Sequence, residues 1–203
     1  MVNAKTEQKE RTHADILDSA ARLLRVKGIA GMSIADVMRG VGLTVGGFYA
    51  HFENKDALVE ETIHRTGREL RGRLLAGLED KEPAERVEMM LRRYLSRTHR
   101  EDVEGGCPLP AIVGEVVTGD AHRESLAQEI ATLADAIEAH HPPAAAAPRR
   151  QRALAAIALM FGGLSLARAL RGTPLSDDIL KACRAYGRAA MRGYLAPEGE
   201  TQG

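Results

Sequence analysis

The sequence predicts an all-α fold, and three observations carry that prediction. Aromatic residues make up only 3% of the chain, with no Trp, four Tyr and three Phe, against 44% hydrophobic residues overall. A sandwich or barrel draws on aromatic and β-branched side chains that are scarce here, so Ala and aliphatic residues must form the core. Apolar positions recur at three- and four-residue spacing, the period of an amphipathic helix. Gly, Pro, Ser, Asn and Asp stand between these stretches, where helices start and stop.

The elements follow in order. Ile16, Ala20, Leu23 and Leu24 form the buried stripe of a first helix from Thr12, and Gly28 after Lys27 is its natural stop. Ser33 with Asp36 is a capping-box-like pair opening a short second helix, with Ile34, Val37, Met38 and Val41 as its stripe and Gly40 to Gly42 as its end. Thr44 caps a third segment running through Phe48 to about His51, and Asn54 caps a fourth from Lys55 to about Leu78. Pro83 suits a helix first position, and Val87, Met90, Leu91, Tyr94 and Leu95 give a fifth helix reaching about His99. After the Glu101 to Gly106 loop, Cys107-Pro108 opens an apolar segment closed by Gly119, and Asp120 caps a helix to about His140. The prolines of 141–148 make a linker. Two further helices cover about 149–172 and 174–195, and 196–203 is a polar tail.

Charge narrows the class. The chain carries 28 basic and 28 acidic residues, so it is no general polycation and any nucleic-acid surface must be local. Residues 1–60 hold eight of each sign, while 101–141 hold one basic and nine acidic residues. The N-terminus has no apolar stretch of signal-peptide type, and Cys107 and Cys183 lack CxxC spacing, which predicts a reducing cytoplasm. The longest uncharged run, Ala153 to Ala167, is fifteen residues. A membrane span needs about 20, so this run reads as a buried helix and no membrane partner is expected.

The most specific feature is Ser33 to Phe52. Two short helices separated by a glycine-containing turn form a helix-turn-helix, whose second helix enters the DNA major groove. Gly46-Gly47 weakens that helix by about 1 kcal/mol per residue relative to Ala, and what it permits is close approach to a groove floor or phosphate. Val41, Leu43, Phe48 and Phe52 hold it from behind.

This stretch, continued as Glu53-Asn54-Lys55-Asp56-Ala57-Leu58, resembles the DNA-binding signature of the TetR/AcrR family of bacterial transcriptional regulators. The resemblance covers about residues 12–60, including Ile16 to Leu24 and the Gly28 to Ser33 connection. It implies a DNA-binding domain over 1–53 and a helical effector-binding and dimerisation domain over 54–195. It also implies a homodimer that binds a pseudo-palindromic double-stranded operator, represses transcription and is released by a small-molecule effector. Carried over by position, it makes Thr44, Val45 and Gly46 the base-facing start of the recognition helix and puts Tyr49, His51 and Lys55 at phosphates. A Tyr hydroxyl, a His ring and a Lys at a helix start all suit an anionic backbone. Ser33 adds a backbone contact and Arg39 a specificity contact. Phe52 reads as core. The even charge of residues 1–60 argues against strong binding by one chain, since affinity follows the phosphates neutralised, and a dimer doubles the contacts.

In the C-terminal half, Met89, Met90, Tyr94, Ile112, Val113, Val116, Met160, Phe161 and Leu164 are the effector-pocket candidates, because flexible Met suits an adaptable apolar cavity; at helical spacing the same residues also read as plain core. Cys107 joins them. It follows Gly105-Gly106 at a helix start, where a thiol is acidified, so a redox or electrophile sensor is the second reading; Glu101, Asp102 and Glu104 oppose it, and simple packing is the plainer one. Cys183 reads as buried in a helix interface. His99, His122, His140 and His141 show no ligand spacing, so no metal and no cofactor is expected. Ala155, Ala158, Gly162, Gly163 and Ala167 allow close helix approach, and the last two helices of two chains would build a four-helix interface. An enzyme with Cys107 as nucleophile and His99 as base has no motif behind it, so no enzyme is expected. A helical interaction protein that no longer binds DNA is the remote alternative, against which Tyr49 and Lys55 speak.

Overall fold

The computed structural model describes residues 4–119, 121–140 and 148–193, all of their regular structure being helical. The chain divides into two compact units, Met1–Glu69 with Val103–Glu129, and Leu70–Asp102 with Ile130–Gly203.

In the first unit α1 (Ala4–Gly31) is interrupted at Gly28, whose φ of 72° is left-handed backbone. This is the predicted stop, after which one more turn leads into the next element. Ser33 caps α2 (Ile34–Gly40) by accepting from the Asp36 N–H at 3.0 Å. The turn then closes through Gly42, at φ 71°, with the Leu43 N–H donating to the Met38 carbonyl at 2.9 Å. Next come α3 (Val45–Phe48) and α4 (Lys55–Leu75), the latter capped by Asn54, whose Oδ1 accepts from the Ala57 N–H at 2.9 Å. Ile16, Leu24, Met38, Phe48 and Leu58 are fully buried. Burial of side chains of this size stabilises the unit by about 1.5–3 kcal/mol each. The segment after Val103 adds α7 (Leu109–Thr118), whose Leu109, Ile112 and Val116 are buried and which packs on α1.

The second unit holds α5 (Pro83–Tyr94), α6 (Arg97–Glu101), α9 (Arg149–Ala169) and α10 (Pro174–Gly193). Between α7 and α9 runs α8 (Arg123–Ala139), with Leu133, Ala134 and Ile137 buried. A Cβ on Gly163 of α9 would lie 2.8 Å from Cys183 Sγ and 2.9 Å from Leu95 Cδ2, so that position admits only glycine without rearrangement. Gly162 and the exposed Ala155 and Ala158 take no part in this close approach. By length and composition α9 could cross a membrane, yet Arg152, Ile157, Met160 and Leu164 are buried along one side of it, as in a core helix.

Several expectations need correction. The first helix starts at Ala4 rather than Thr12, because Ala4 to Arg11 is almost wholly exposed and carries no apolar stripe to reveal it. The third is only four residues long: Gly46-Gly47 weakens it, and the chain goes on to Phe52 as irregular turns bonded back to Gly47 and Phe48. The fourth stops at Leu75, ahead of Gly77 at φ 63°. The predicted fifth helix is two, broken at Leu95; Ser96 Oγ accepts from the His99 N–H at 3.0 Å and starts α6. A boundary at 53/54 does not match the compact units, since the start of α4 and all of α7 belong with α1. Asp120, residues 141–147 and the tail 196–203 lie outside the described residues.

Candidate nucleic-acid interface

The helix-turn-helix is held from below and open above. Phe48 is fully buried, stacks on Phe52 with ring centroids 5.5 Å apart, and meets Tyr49 edge-on at 5.3 Å. Phe52 stacks in turn on His13 of α1 at 4.5 Å. Ser19 Oγ of α1 donates to the Val37 carbonyl at 2.9 Å, and a Cβ on Gly40 would lie 2.2 Å from that oxygen, so α1 and α2 touch backbone to side chain. These contacts fix α3 from inside the unit.

Its outer rim is Leu43, Thr44, Val45, Gly46 and Tyr49, all exposed, with Tyr49 at 65%. Thr44 stands at the cap position, but its hydroxyl makes no capping hydrogen bond. Gly47 packs above Met38, 3.7 Å from Cε to a would-be Cβ, whereas a Cβ on Gly46 would meet only Thr44 Oγ1 at 3.9 Å. Nothing among the described residues therefore requires glycine at 46. A surface of exposed apolar side chains, two hydroxyls and bare backbone suits the floor and walls of a groove.

The cations around this rim are already engaged. Lys55 Nζ donates to the Ile29 carbonyl at 2.7 Å. Lys27 and Arg39 both reach the Asp36 carboxylate, at 3.2 and 2.7 Å, and Arg39 is otherwise largely exposed. Lys27, Ser33 and Arg39 together hold the Asp36 carboxyl below its usual range. Ser33 spends its acceptor on the α2 cap. His51 is half-buried with Nδ1 lacking a hydrogen-bond partner, and its centroid is 5.9 Å from that of His13. Burial first, then the neighbouring His13 and Lys9, push its imidazole below the ordinary value, so the ring is neutral at pH 7.

One cluster was not legible in advance. Glu115 of α7 accepts from the backbone N–H groups of Ile29 and Ala30 at 2.8 and 2.7 Å, just beyond Gly28. With Lys55 on the Ile29 carbonyl, the entry to the helix-turn-helix is clamped from both sides. Glu115 stands in an otherwise apolar run, which is the sole hint the sequence offered.

The effector-pocket candidates separate. Cys107, Ile112 and Val116 are buried in the first unit, where Val113 is half-buried. Met90 and Met160 line a void of about 10 Å3 in the second unit, whose core also takes Leu164, with Phe161 half-buried. Tyr94 alone of the candidates lines a larger cavity, of about 190 Å3, together with Leu70, Arg73, Leu74, Arg93, Ser96, Thr98, His99 and Asp102. The other residues of this cavity were missed because the break at Leu95, which opens it, was not foreseen. Neither cysteine is in a disulfide, and burial pushes the Cys183 thiol up. Among the described residues no group of His, Cys, Asp and Glu could hold a metal.

Comparison with known proteins fits this geometry. The tetR family of bacterial regulatory proteins matches residues 16–62. Over 69 residues the chain is 35% identical to the HTH-type transcriptional regulator TtgR of Pseudomonas putida, an alignment covering 32% of this chain and 33% of that one. The chain thus matches about a third of the length of this curated relative. Among solved structures, a TetR-family transcriptional regulator from Cytophaga hutchinsonii is 25% identical with a TM-score of 0.71, over 90% of this chain and 96% of that one. A TetR regulator from Chloroflexus aurantiacus is 24% identical with a TM-score of 0.74, over 92% and 96%.

Proposed function

We propose that this chain, which is similar to the TetR family over residues 16–62, is a regulator of that family and a cytoplasmic, non-enzymatic repressor. Two copies bind a pseudo-palindromic DNA operator, and a small-molecule effector releases them. The observation that carries the reading is the rim of Thr44, Val45, Gly46 and Tyr49, exposed on an α3 that Phe48 anchors. Thr44 and the Val45 methyls meet base edges, and Gly46 lets the backbone approach. Tyr49 donates to phosphate, with Ser33 and the His51 ring beside it. Arg39 and Lys55 reach phosphate or base only by leaving Asp36 and the Ile29 carbonyl, so they contribute less than their charge suggests.

Pairing of chains rests on α9 and α10, where Leu154, Leu166, Leu175 and Tyr186 are exposed, Tyr186 at 70%. Apolar side chains of this size gathered on two long helices favour a partner surface, and a two-fold axis presents two reading heads to a pseudo-palindrome. The effector occupies the cavity beside Tyr94. Helix α4 carries Lys55 at its start and Leu70 and Leu74 near its end.

Selection of bound duplexes from a random DNA pool tests this directly. A two-fold symmetric consensus bound by two chains is expected, with loss of selection by Tyr49→Ala. No enrichment at low salt by a folded dimer would refute it.

A further inference from the structure

Helix α1 begins well before the core needs it. From Ala4 to Arg11 its residues are exposed, and none is buried against the unit. The charges of this part are sorted by face. Lys5, Lys9 and His13 recur every four residues along one side, while Glu7 and Arg11 are two residues out of step and stand on the other.

The face that carries His13 turns towards the reading head. His13 stacks on Phe52 at 4.5 Å, and its ring lies 5.9 Å from that of His51. Through Phe52 and Phe48 the same row of rings reaches Tyr49 on the exposed rim. His13 has an acidic neighbour of its own, its Nε2 lying 2.8 Å from Glu61 Oε1 of α4. Lys9 stands one helical turn, about 5.4 Å, ahead of His13 on that face. It is exposed and, among the described residues, has no acidic partner. Burial, then His13, then Lys9 push the His51 imidazole below its ordinary value, so the Lys9 ammonium acts on that ring. Two basic groups therefore meet at the edge of the reading head with no anion between them: Lys9, and a His51 whose Nδ1 lacks a hydrogen-bond partner.

This separates Lys9 from the cations of α2 and α4. Asp36 holds Lys27 and Arg39, and the Ile29 carbonyl holds Lys55. A DNA phosphate supplies the anion that is missing beside Lys9, and a point charge on a long flexible stem reaches it without moving the helix. We propose that Lys9 binds a backbone phosphate of the operator next to His51, so that the first turns of α1 widen the DNA surface beyond the helix-turn-helix. The contact adds affinity that is independent of sequence and leaves base reading to the rim of α3. It rests on the reading of the chain as a DNA-binding protein and adds a residue to that surface.

Arg11 is the internal control, with the same charge on the same helix but on the other face. Fluorescence anisotropy with the selected duplex, between about 50 and 200 mM salt, reads affinity and its salt dependence together. Lys9→Gln should weaken binding several-fold and lower the slope of log affinity against log salt by about 0.9, the value of one phosphate contact. Lys9→Arg should keep both, and Arg11→Gln should leave the slope unchanged. Without DNA, the His51 titration followed by NMR should move to higher pH in Lys9→Gln and stay in place in Arg11→Gln. A wild-type slope in Lys9→Gln, an equal loss in Arg11→Gln, or a His51 titration indifferent to Lys9→Gln would overturn the proposal. Selective binding by the wild type that Lys9→Gln leaves intact removes this contact alone. No selective binding by the wild type removes the DNA reading and the contact with it.

Discussion

Lys55 Nζ sits 2.7 Å from the Ile29 carbonyl, so a lysine at a position associated with DNA phosphate is also a strut inside the protein. Residue 29 lies in the single turn between Gly28 and α2, and its N–H is held in turn by Glu115. Lys55→Met should therefore lower unfolding stability without any DNA present, by about 1.5–3 kcal/mol as a lost charge-assisted hydrogen bond. Chemical denaturation checks this. An unchanged midpoint with weakened DNA binding would make Lys55 a phosphate contact only.

Gly28 and Glu115 form a second constraint. A Cβ at 28 would stand 2.0 Å from Glu115 Oε1, on a backbone at φ 72°. Gly28→Ala should cost about 1–3 kcal/mol from backbone strain alone, with the clash added. Glu115→Ala leaves two backbone N–H groups without their acceptor. Each lost bond to a charged acceptor is worth about 1.5–3 kcal/mol in the buried limit, and less here because Ala30 is exposed. In the double variant the clash with Glu115 disappears, leaving only the tight 3.1 Å approach to the Ala111 carbonyl, so the combined loss should be smaller than the sum of the single losses.

Asp36 is expected to restrain DNA affinity. It holds both Lys27 and Arg39, the latter on the helix that precedes α3. Asp36→Asn should release them and raise affinity for non-operator duplex several-fold, while steepening the salt dependence by about 1 unit of logarithmic slope for each additional phosphate contact. Fluorescence anisotropy at several salt concentrations reads both quantities. An unchanged slope would mean that neither cation reaches DNA.

Acid should destabilise the protein through its histidines. The folded-state value of His99 is about 4, below the ordinary 6.5 of an unfolded chain. The unfolded chain thus takes up the proton first: the contribution is intact above about pH 6.5 and is lost as the pH falls towards 4. The loss amounts to at most about 3 kcal/mol, and His99→Gln should flatten the curve of melting temperature against pH in that window. His51, also depressed, acts with the same sign.

Local signals were legible in the sequence and long-range ones were not. Ser33 and Asn54 act as the caps their types predict, and Gly28 and Gly42 occupy the left-handed backbone that their place after a helix implies. The break at Leu95 was hidden because the apolar face of α5 continues through Tyr94 and Leu95, both buried, so the period shows no interruption. Ser96 carried a capping signal, but inside an apparently continuous helix it was outweighed. The partners of Lys55 and Arg93 are backbone carbonyls 26 and 19 residues away, and Glu115 reaches back 86 residues to Ile29. A backbone acceptor leaves no mark in residue type. For that reason the exposed rim of α3 was readable and the clamp behind it was not.

The central claim is that the exposed rim on α3, rather than the flanking cations, provides the DNA contact. The most direct test is the affinity of the selected duplex for Tyr49→Ala and Thr44→Ala beside the wild type, at fixed salt and with melting temperature measured on the same samples. Both residues are exposed, so stability should be nearly unchanged while affinity falls on the order of tenfold or more per substitution. Wild-type affinity in both variants, with the fold intact, would contradict the assignment of α3 as the reading element.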